Sequence, residues 1–357
     1  MLFRNFTPFP PLQFESRDEQ RRDFGVVVLR GTFEIRNYQP LFLVQEQEPL
    51  IMADVYHGEP GKSSLWKEGN LAPYKPKTDI HINAIAHAPE GKPLPQWNVA
   101  VKVGKIQKHL LVMGPRYWYQ ERGWRLTEPQ PCLQVPIRYE QAYGGIYQQA
   151  VYQENPVGLG YVPSKTAEMT TSTPLPAPQI MSPDDPITEW GKIYKPEGLG
   201  PLAPAWQPRV AYAGTFNAVW EKTRWPDLPE DFQFDFYNSA HPDLIYPGLV
   251  EGNETIELRN LSATERLQFK LPGFTLGLLV RWEDGEIAPM PVRLDTIHVE
   301  VPEMKVYLTW RGIFPVGEAI RVLEVRMRGG ERWGVNRMEQ VVKYPFLQSQ
   351  QHHKKQE

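Results

Sequence analysis

Histidines and carboxylates that could share a site are the first place to look for chemistry, because hydrolysis and metal binding both need them within a few ångströms. Asp54, His57 and Glu59 form one such group; Asp79, His81, His87 and Glu90 form another. On a strand, Asp79 and His81 share a face and could supply two ligands, with a third that no nearby residue names. The plainer alternative is a solvated sheet face. In His241-Pro242-Asp243 the proline points to a rigid turn. Cys132 sits among apolar residues without a local histidine or helix N-terminus to lower its pKa, which suits a small buried hydrophobe better than a nucleophile. Gly158-Leu159-Gly160 begins like a dinucleotide fingerprint, but the third glycine is missing and Pro163 stops any following helix. There is no Walker A, HExxH or GxSxG pattern. With 42 acids in the chain, no particular pair stands out for glycoside hydrolysis. These residues name no catalytic group, no metal set and no cofactor.

The most pointed cluster is Arg116-Tyr117-Trp118-Tyr119-Gln120-Glu121-Arg122-Gly123-Trp124-Arg125, which interleaves arginine with large aromatics. Trp, Tyr and Arg anchor interfaces because they cover much area with few rotors and keep a polar end. Arg116, Tyr117, Trp118, Tyr119, Arg122 and Trp124 are therefore the candidate partner contacts. On a strand, however, Tyr117 and Tyr119 oppose Arg116 and Trp118, so half of the cluster could equally be core.

The elements that position these residues read as strands. Leu29, Phe33 and Ile35 alternate with Arg30, Thr32 and Glu34, which predicts a half-buried strand, and Ile80, Ile82 and Ala84 alternate with Asp79, His81 and Asn83. Val99 to Val103 and Lys108 to Met113 flank Gly104-Lys105 as a hairpin. Ile297 to Val301, Met304 to Trp310 and Leu323 to Arg328 repeat the pattern. Ten prolines from Pro163 to Pro208 leave no room for long regular elements, and Trp190, Tyr194 and Trp206 favour an ordered strap over a free linker. Ser182 could cap a short helix, and Ser262-Ala263-Thr264-Glu265 has capping-box spacing. The amphipathic helices of a parallel α/β fold are missing. The expectation is a mainly β, mostly antiparallel chain with two β-sandwich-like halves, 1–162 and 209–345, joined by the Pro-rich segment 163–208 and followed by a disordered tail, 346–357.

Proline makes up 36 of 357 residues, roughly twice ordinary usage, which excludes a helix-dominated protein. With 41% hydrophobic residues and 11 Trp, 16 Tyr and 15 Phe, the chain has ample material for a core and is not disordered. A net charge of −3 offers no field for nucleic acid or an anionic membrane. No apolar run is long enough to span a bilayer, the N-terminus lacks a signal-peptide pattern, and the single cysteine agrees with a reducing compartment. The expected home is the cytoplasm.

Several segments, taken in order, resemble a bacterial family of formerly unknown function found with type VI secretion genes. They are Lys75-Pro76-Lys77-Thr78-Asp79, Ala86-His87-Ala88-Pro89-Glu90-Gly91, Gly114-Pro115-Arg116-Tyr117-Trp118, Tyr139-Glu140-Gln141-Ala142-Tyr143-Gly144-Gly145 and Asn155-Pro156-Val157-Gly158-Leu159-Gly160-Tyr161. Tyr237-Asn238-Ser239-Ala240-His241-Pro242-Asp243, Leu271-Pro272-Gly273, Leu294-Asp295-Thr296-Ile297 and Leu308-Thr309-Trp310-Arg311 continue the series. After Asp243 the family pattern has glutamine where this chain has Leu244. The resemblance implies a non-enzymatic adaptor or chaperone that holds a toxin effector and helps load it onto spike-tip proteins. The alternatives are a carbohydrate-active β-sandwich hydrolase and a structural component of the secretion assembly.

Overall fold

The structure, a computed structural model, describes residues 1–164, 173–316 and 319–328; the expected tail 346–357 lies outside the described residues. The protein is mainly β with mostly antiparallel sheets, one of them curled into a half-barrel. Its principal strands are β1 (Leu2–Phe6), β2 (Pro11–Arg17), β3 (Asp23–Glu34), β4 (Asp79–Asn83), β5 (Gln96–Val103) and β6 (Ile106–Met113). From the second half of the chain come β7 (Thr255–Arg259), β8 (Arg266–Lys270), β9 (Thr275–Trp282), β10 (Ile287–Glu300), β11 (Lys305–Pro315) and β12 (Ile320–Arg328).

The large sheet runs β1-β12-β9-β10-β11-β3-β2, with β4 added in parallel beside the end of β10. A second sheet runs β6-β5-β7-β8, edged by Ile180–Met181 on one side and Gln39–Pro40 on the other. Both sheets draw strands from before residue 162 and from after residue 209, so the two expected halves meet inside each sheet. One core serves both: Phe9 stacks on Trp310 at 4.9 Å, and Val27, Leu29 and Phe33 of β3 pack with Val99, Val101 and Leu258.

The polar face expected on β3 is not open to water. Arg30 lies 4.0 Å from the Tyr307 ring centre and donates to the Pro49 carbonyl at 2.8 Å, while the side-chain oxygen of Gln47 accepts from the Thr32 amide at 2.7 Å. Farther along that face, Phe24, Val26 and Val28 pack against Phe232, Phe234 and Ile313. Ordered loops thus cover the outside of the sheet and take up many of the prolines, since no ladder donor is needed there, while Pro289 and Pro291 sit within β10 itself.

From residue 173 onward the Pro-rich segment lies against the β-structure. Leu175–Pro176 pairs with Tyr117–Gln120, Ile180–Met181 pairs with β6, and Ile187, Tyr194, Leu202 and Trp206 are buried. No helix forms at Ser182, whose hydroxyl instead accepts from the Asp184 amide at 3.2 Å in a tight turn. Nor does Ser262 cap a helix, because its hydroxyl donates to the Thr264 carbonyl at 2.6 Å inside the β7–β8 connection. Among the described residues the single α-helix is Ala218–Thr223, and no helix is long and apolar enough to cross a membrane.

Two stretches close in sequence, 139–145 and 155–161, fold back on each other. Asn155 donates from Nδ2 to the carbonyls of Tyr139 at 2.8 Å and Tyr143 at 3.0 Å, and Tyr143-Gly144 pairs in parallel with Leu159-Gly160. A Cβ on Gly158 would come within 2.4 Å of Asn155 Nδ2 and 2.7 Å of the Ala142 carbonyl oxygen, so only glycine fits there. The incomplete dinucleotide fingerprint is in fact a packing junction.

Candidate functional site

β4 carries Ile80 and Ile82 into the core, and its alternation turns Asp79 and His81 to the opposite face. That face is buried. The Asp79 carboxylate accepts from Lys75 Nζ at 2.7 Å, the Ser239 amide at 2.9 Å, Asn238 Nδ2 at 3.0 Å and the Ala240 amide at 3.3 Å. Lys75 also bridges to Glu68, whose other oxygen lies 3.6 Å from an Arg209 guanidinium nitrogen. Glu68, Asp79 and His81 thus place ligand-type atoms within 4.8 Å of one another, and Glu68 is the third residue that the sequence could not name. The cation these carboxylates face is the Lys75 ammonium. Desolvation works against the charge on Asp79, yet Lys75, His81 and the neighbouring donors hold its pKa below the ordinary value. Desolvation likewise opposes the charge on Lys75, and Asp79 and Glu68 overcome it and raise its pKa. Burial pushes the His81 imidazole down to about 3.

Ser239 Oγ lies 3.0 Å from His81 Nε2, the distance a nucleophile and its base would adopt. Their exposures are 0% and 1%, so the pair is sealed inside the protein and no substrate reaches it without local opening.

A second cluster repeats this solution nearer the surface. Glu197, His241 and Asp243 also bring ligand-type atoms within 4.8 Å, and again a lysine sits among them. Lys108 of β6 contacts Glu197, reaches Asp243 Oδ2 at 2.8 Å and lies 3.3 Å from His241 Nδ1. Burial, followed by the Lys108 charge, lowers the His241 pKa to about 4. Its Nδ1 accepts from the Asp243 amide at 3.2 Å, capping the short turn Pro242–Leu244. Leu244, the departure from the family pattern, is fully buried in the main core, a place that suits leucine better than an amide.

The remaining candidates are not gathered into one site. Asp54 caps the Gly69 amide at 2.8 Å, Glu59 pairs with Lys62 on the surface, and His57 stacks on Trp66. Glu90 pairs with Lys92, and burial raises the Cys132 thiol pKa, away from nucleophilic character.

The arginine–aromatic cluster divides as strand alternation requires. Trp118 is 3% exposed and meets Trp190 edge-on at 5.5 Å, while Trp124, half-buried, stacks on the same ring at 3.9 Å. Arg116 is buried too; its Nη2 donates to the Pro178 carbonyl at 3.4 Å, and desolvation lowers its pKa to about 10. Tyr119 is half-buried, and only Tyr117 and Arg122 of the six candidates stand exposed. Most of this cluster is a small satellite core beneath the Pro-rich segment.

Exposed aromatic surface lies elsewhere, in a stretch that the sequence did not single out. Phe216, Val219 and Trp225 are 57%, 67% and 69% exposed. They surround the helix Ala218–Thr223, whose N-terminus is capped by Asn217 Oδ1 accepting from the Val219 and Trp220 amides at 2.9 and 3.0 Å. Trp220 Nε1 donates to the Asp227 carbonyl at 2.8 Å, and Arg21 donates to the Thr223 carbonyl at 2.6 Å, so the lobe is pinned to the β2–β3 turn. The available signal was Asn217 as a cap, followed by the Phe216–Trp220 pair at i, i+4.

The fold and this surface define an all-β protein whose ionisable clusters are built into its framework and which exposes Phe216, Val219 and Trp225 together on a pinned lobe. The chain belongs to the DUF2169 family, described as an uncharacterized protein conserved in bacteria, which it matches over residues 20–311. No curated protein and no solved structure matches it significantly.

Proposed function

We propose that the protein is a non-enzymatic adaptor that binds a toxin effector in the bacterial cytoplasm and assists its loading onto the spike-tip proteins of a type VI secretion system. The observation that carries partner binding is Trp225, 69% exposed beside Phe216 and Val219 on a lobe held by hydrogen bonds. A rigid aromatic anchor of this kind loses little entropy when covered and is typical of interface hot spots. The link to secretion rests on the resemblance of the ordered sequence segments. The non-enzymatic character is supported by where the titratable groups go: two clusters hold lysines between their carboxylates, and the Ser239–His81 pair is enclosed.

The test has a cellular and a molecular arm. Deleting the gene is expected to abolish delivery or lower the level of the effector encoded beside it, and the effector is expected to co-purify with the protein. Trp225→Ala should weaken that complex by about 2 kcal/mol or more while moving folding stability by no more than about 0.5 kcal/mol, as befits an exposed site. Unchanged effector level and delivery in the deletion strain would sink the adaptor reading.

A further inference from the structure

We propose that the cavity over the β-bulge at Asp295 is a binding site for a carboxylate carried on a small apolar body. The cavity measures about 200 Å³ and is lined by Tyr74, Leu249, Pro291, Arg293, Asp295 and Arg311, with Lys75 and Ile313 completing it. It forms where β10 changes neighbours: β10 pairs with β9 as far as Val292 and with β4 from Thr296 onward. The β10–β11 register shifts between Leu294 and Thr296, which makes Asp295 the bulged residue and turns its carboxylate towards Arg311.

Charge at this bulge does not balance within the described residues. Arg293 and Arg311 are direct cross-strand partners, and both line the cavity. Like charges directly opposite each other destabilise a sheet unless something anionic lies between them. Asp295 supplies one negative charge and binds Arg311. Lys75 is already taken by Glu68 and Asp79. Arg293 is exposed and has no carboxylate within ion-pairing distance among the described residues. Arg311 is 5% exposed; its Nη2 donates to the Asn70 carbonyl at 3.3 Å, but its Nε–H meets no acceptor among the described residues. A buried donor left without a partner is unfavourable, and a charged one more so. One further negative charge in the cavity would pair with Arg293 and offset the positive charge that Asp295 leaves uncompensated.

The lining selects the kind of anion. Guanidinium forks match the two oxygens of a carboxylate. The side chains of Leu249, Pro291, Ile313 and the Tyr74 ring favour an apolar body behind it. A phosphate dianion, with about twice the charge of a carboxylate, would be repelled more strongly by the Asp295 carboxylate in the same wall. Two sources share this chemistry: a free organic acid, or the C-terminal residue of a bound polypeptide when that residue is apolar. The inference stands on the cavity alone and holds whether or not the protein loads an effector.

Calorimetric titration of the full chain with sodium benzoate and with the tripeptide Gly-Gly-Phe, each beside its amide at matched ionic strength, tests the proposal. Saturable binding of at least one carboxylate is expected, weakened about tenfold or more both in its amide and in Arg293→Gln. Arg293 is exposed, so that variant should keep its fold, which circular dichroism checks. Benzoate binding identifies a free acid as the source, whereas binding of the tripeptide alone identifies a chain terminus. The proposal is overturned if neither carboxylate saturates, if the amide binds equally well, or if Arg293→Gln binds like the parent.

Discussion

His81 follows Asp79 by two residues on β4, and its imidazole is fully enclosed, with a pKa pushed down to about 3 by burial. An unfolded chain takes up a proton at that residue near pH 6.5, whereas the folded protein refuses it until far lower. The unfolded state therefore binds more protons throughout the interval between, so the contribution to stability is complete above pH 6.5 and declines as pH falls towards 3. His241, lowered to about 4, acts in the same direction from pH 6.5 downward. Each should remove about 1.5 kcal/mol between pH 6.5 and 5, measured by urea denaturation at several pH values. His81→Asn should remove the His81 share of that dependence and leave the His241 share. Lys75 offers a sharper test of the first cluster, since Lys75→Met leaves Asp79 buried without its cation and Glu68 with Arg209 alone. Stability should fall by about 3 to 5 kcal/mol, while a chelator leaves the parent's melting temperature unchanged. A melting temperature that drops in chelator would return the site to metal. The sequence showed Asp79 and His81 on one strand face but gave no sign that the face was covered. Burial of that face depends on Glu68, Arg209 and Ser239, which arrive from three other parts of the chain.

At the level of elements, most strands were legible because period-two alternation survives wherever one face meets the core. The hairpin of β5 and β6 turns at Gly104, with φ of 53°, as its Gly-Lys spacing predicted. The capping signals at Ser182 and Ser262 misled because a serine hydroxyl also closes isolated turns, accepting from the Asp184 amide at Ser182 and donating to the Thr264 carbonyl at Ser262. The parallel pairing of 143–144 with 159–160 was illegible, since two-residue strands carry no periodicity and Asn155, which holds them, looks in sequence like any loop residue. Its energetics can be measured. Asn155→Ala leaves the buried Tyr143 carbonyl without its amide donor and takes one of two donors from that of Tyr139, which keeps the Ala142 amide, and should cost about 1 to 3 kcal/mol in urea denaturation. Asn155→Asp keeps the shape but sets a carboxylate against those two oxygens, and should cost more than the alanine. If aspartate were tolerated as well as asparagine, the donated bonds would not be what joins the two stretches.

Across the whole molecule, the Pro-rich segment divides the sequence without dividing the sheets. β1 pairs only with β12, β3 lies between β2 and β11, β4 rests on β10, and β5 joins β7. A chain cut after residue 208 keeps the β2–β3 and β5–β6 hairpins but loses every one of those cross-boundary ladders. Isolated hairpins are marginal in water, and β3 would expose Val27, Leu29 and Phe33 on one face and Val26 and Val28 on the other. Fragments 1–208 and 209–328, expressed separately, should therefore show no cooperative denaturation and no fixed near-ultraviolet circular dichroism from their tryptophans. Expressed together, they should recover both as a one-to-one complex, because the interface between them is the interior of the two sheets. A fragment that melted cooperatively alone would show that one half holds a core of its own. The same topology bears on the adaptor reading: the lobe bearing Trp225 is tied through Arg21 to the turn between β2 and β3, across the boundary. Reassembled fragments should regain effector binding and folding together.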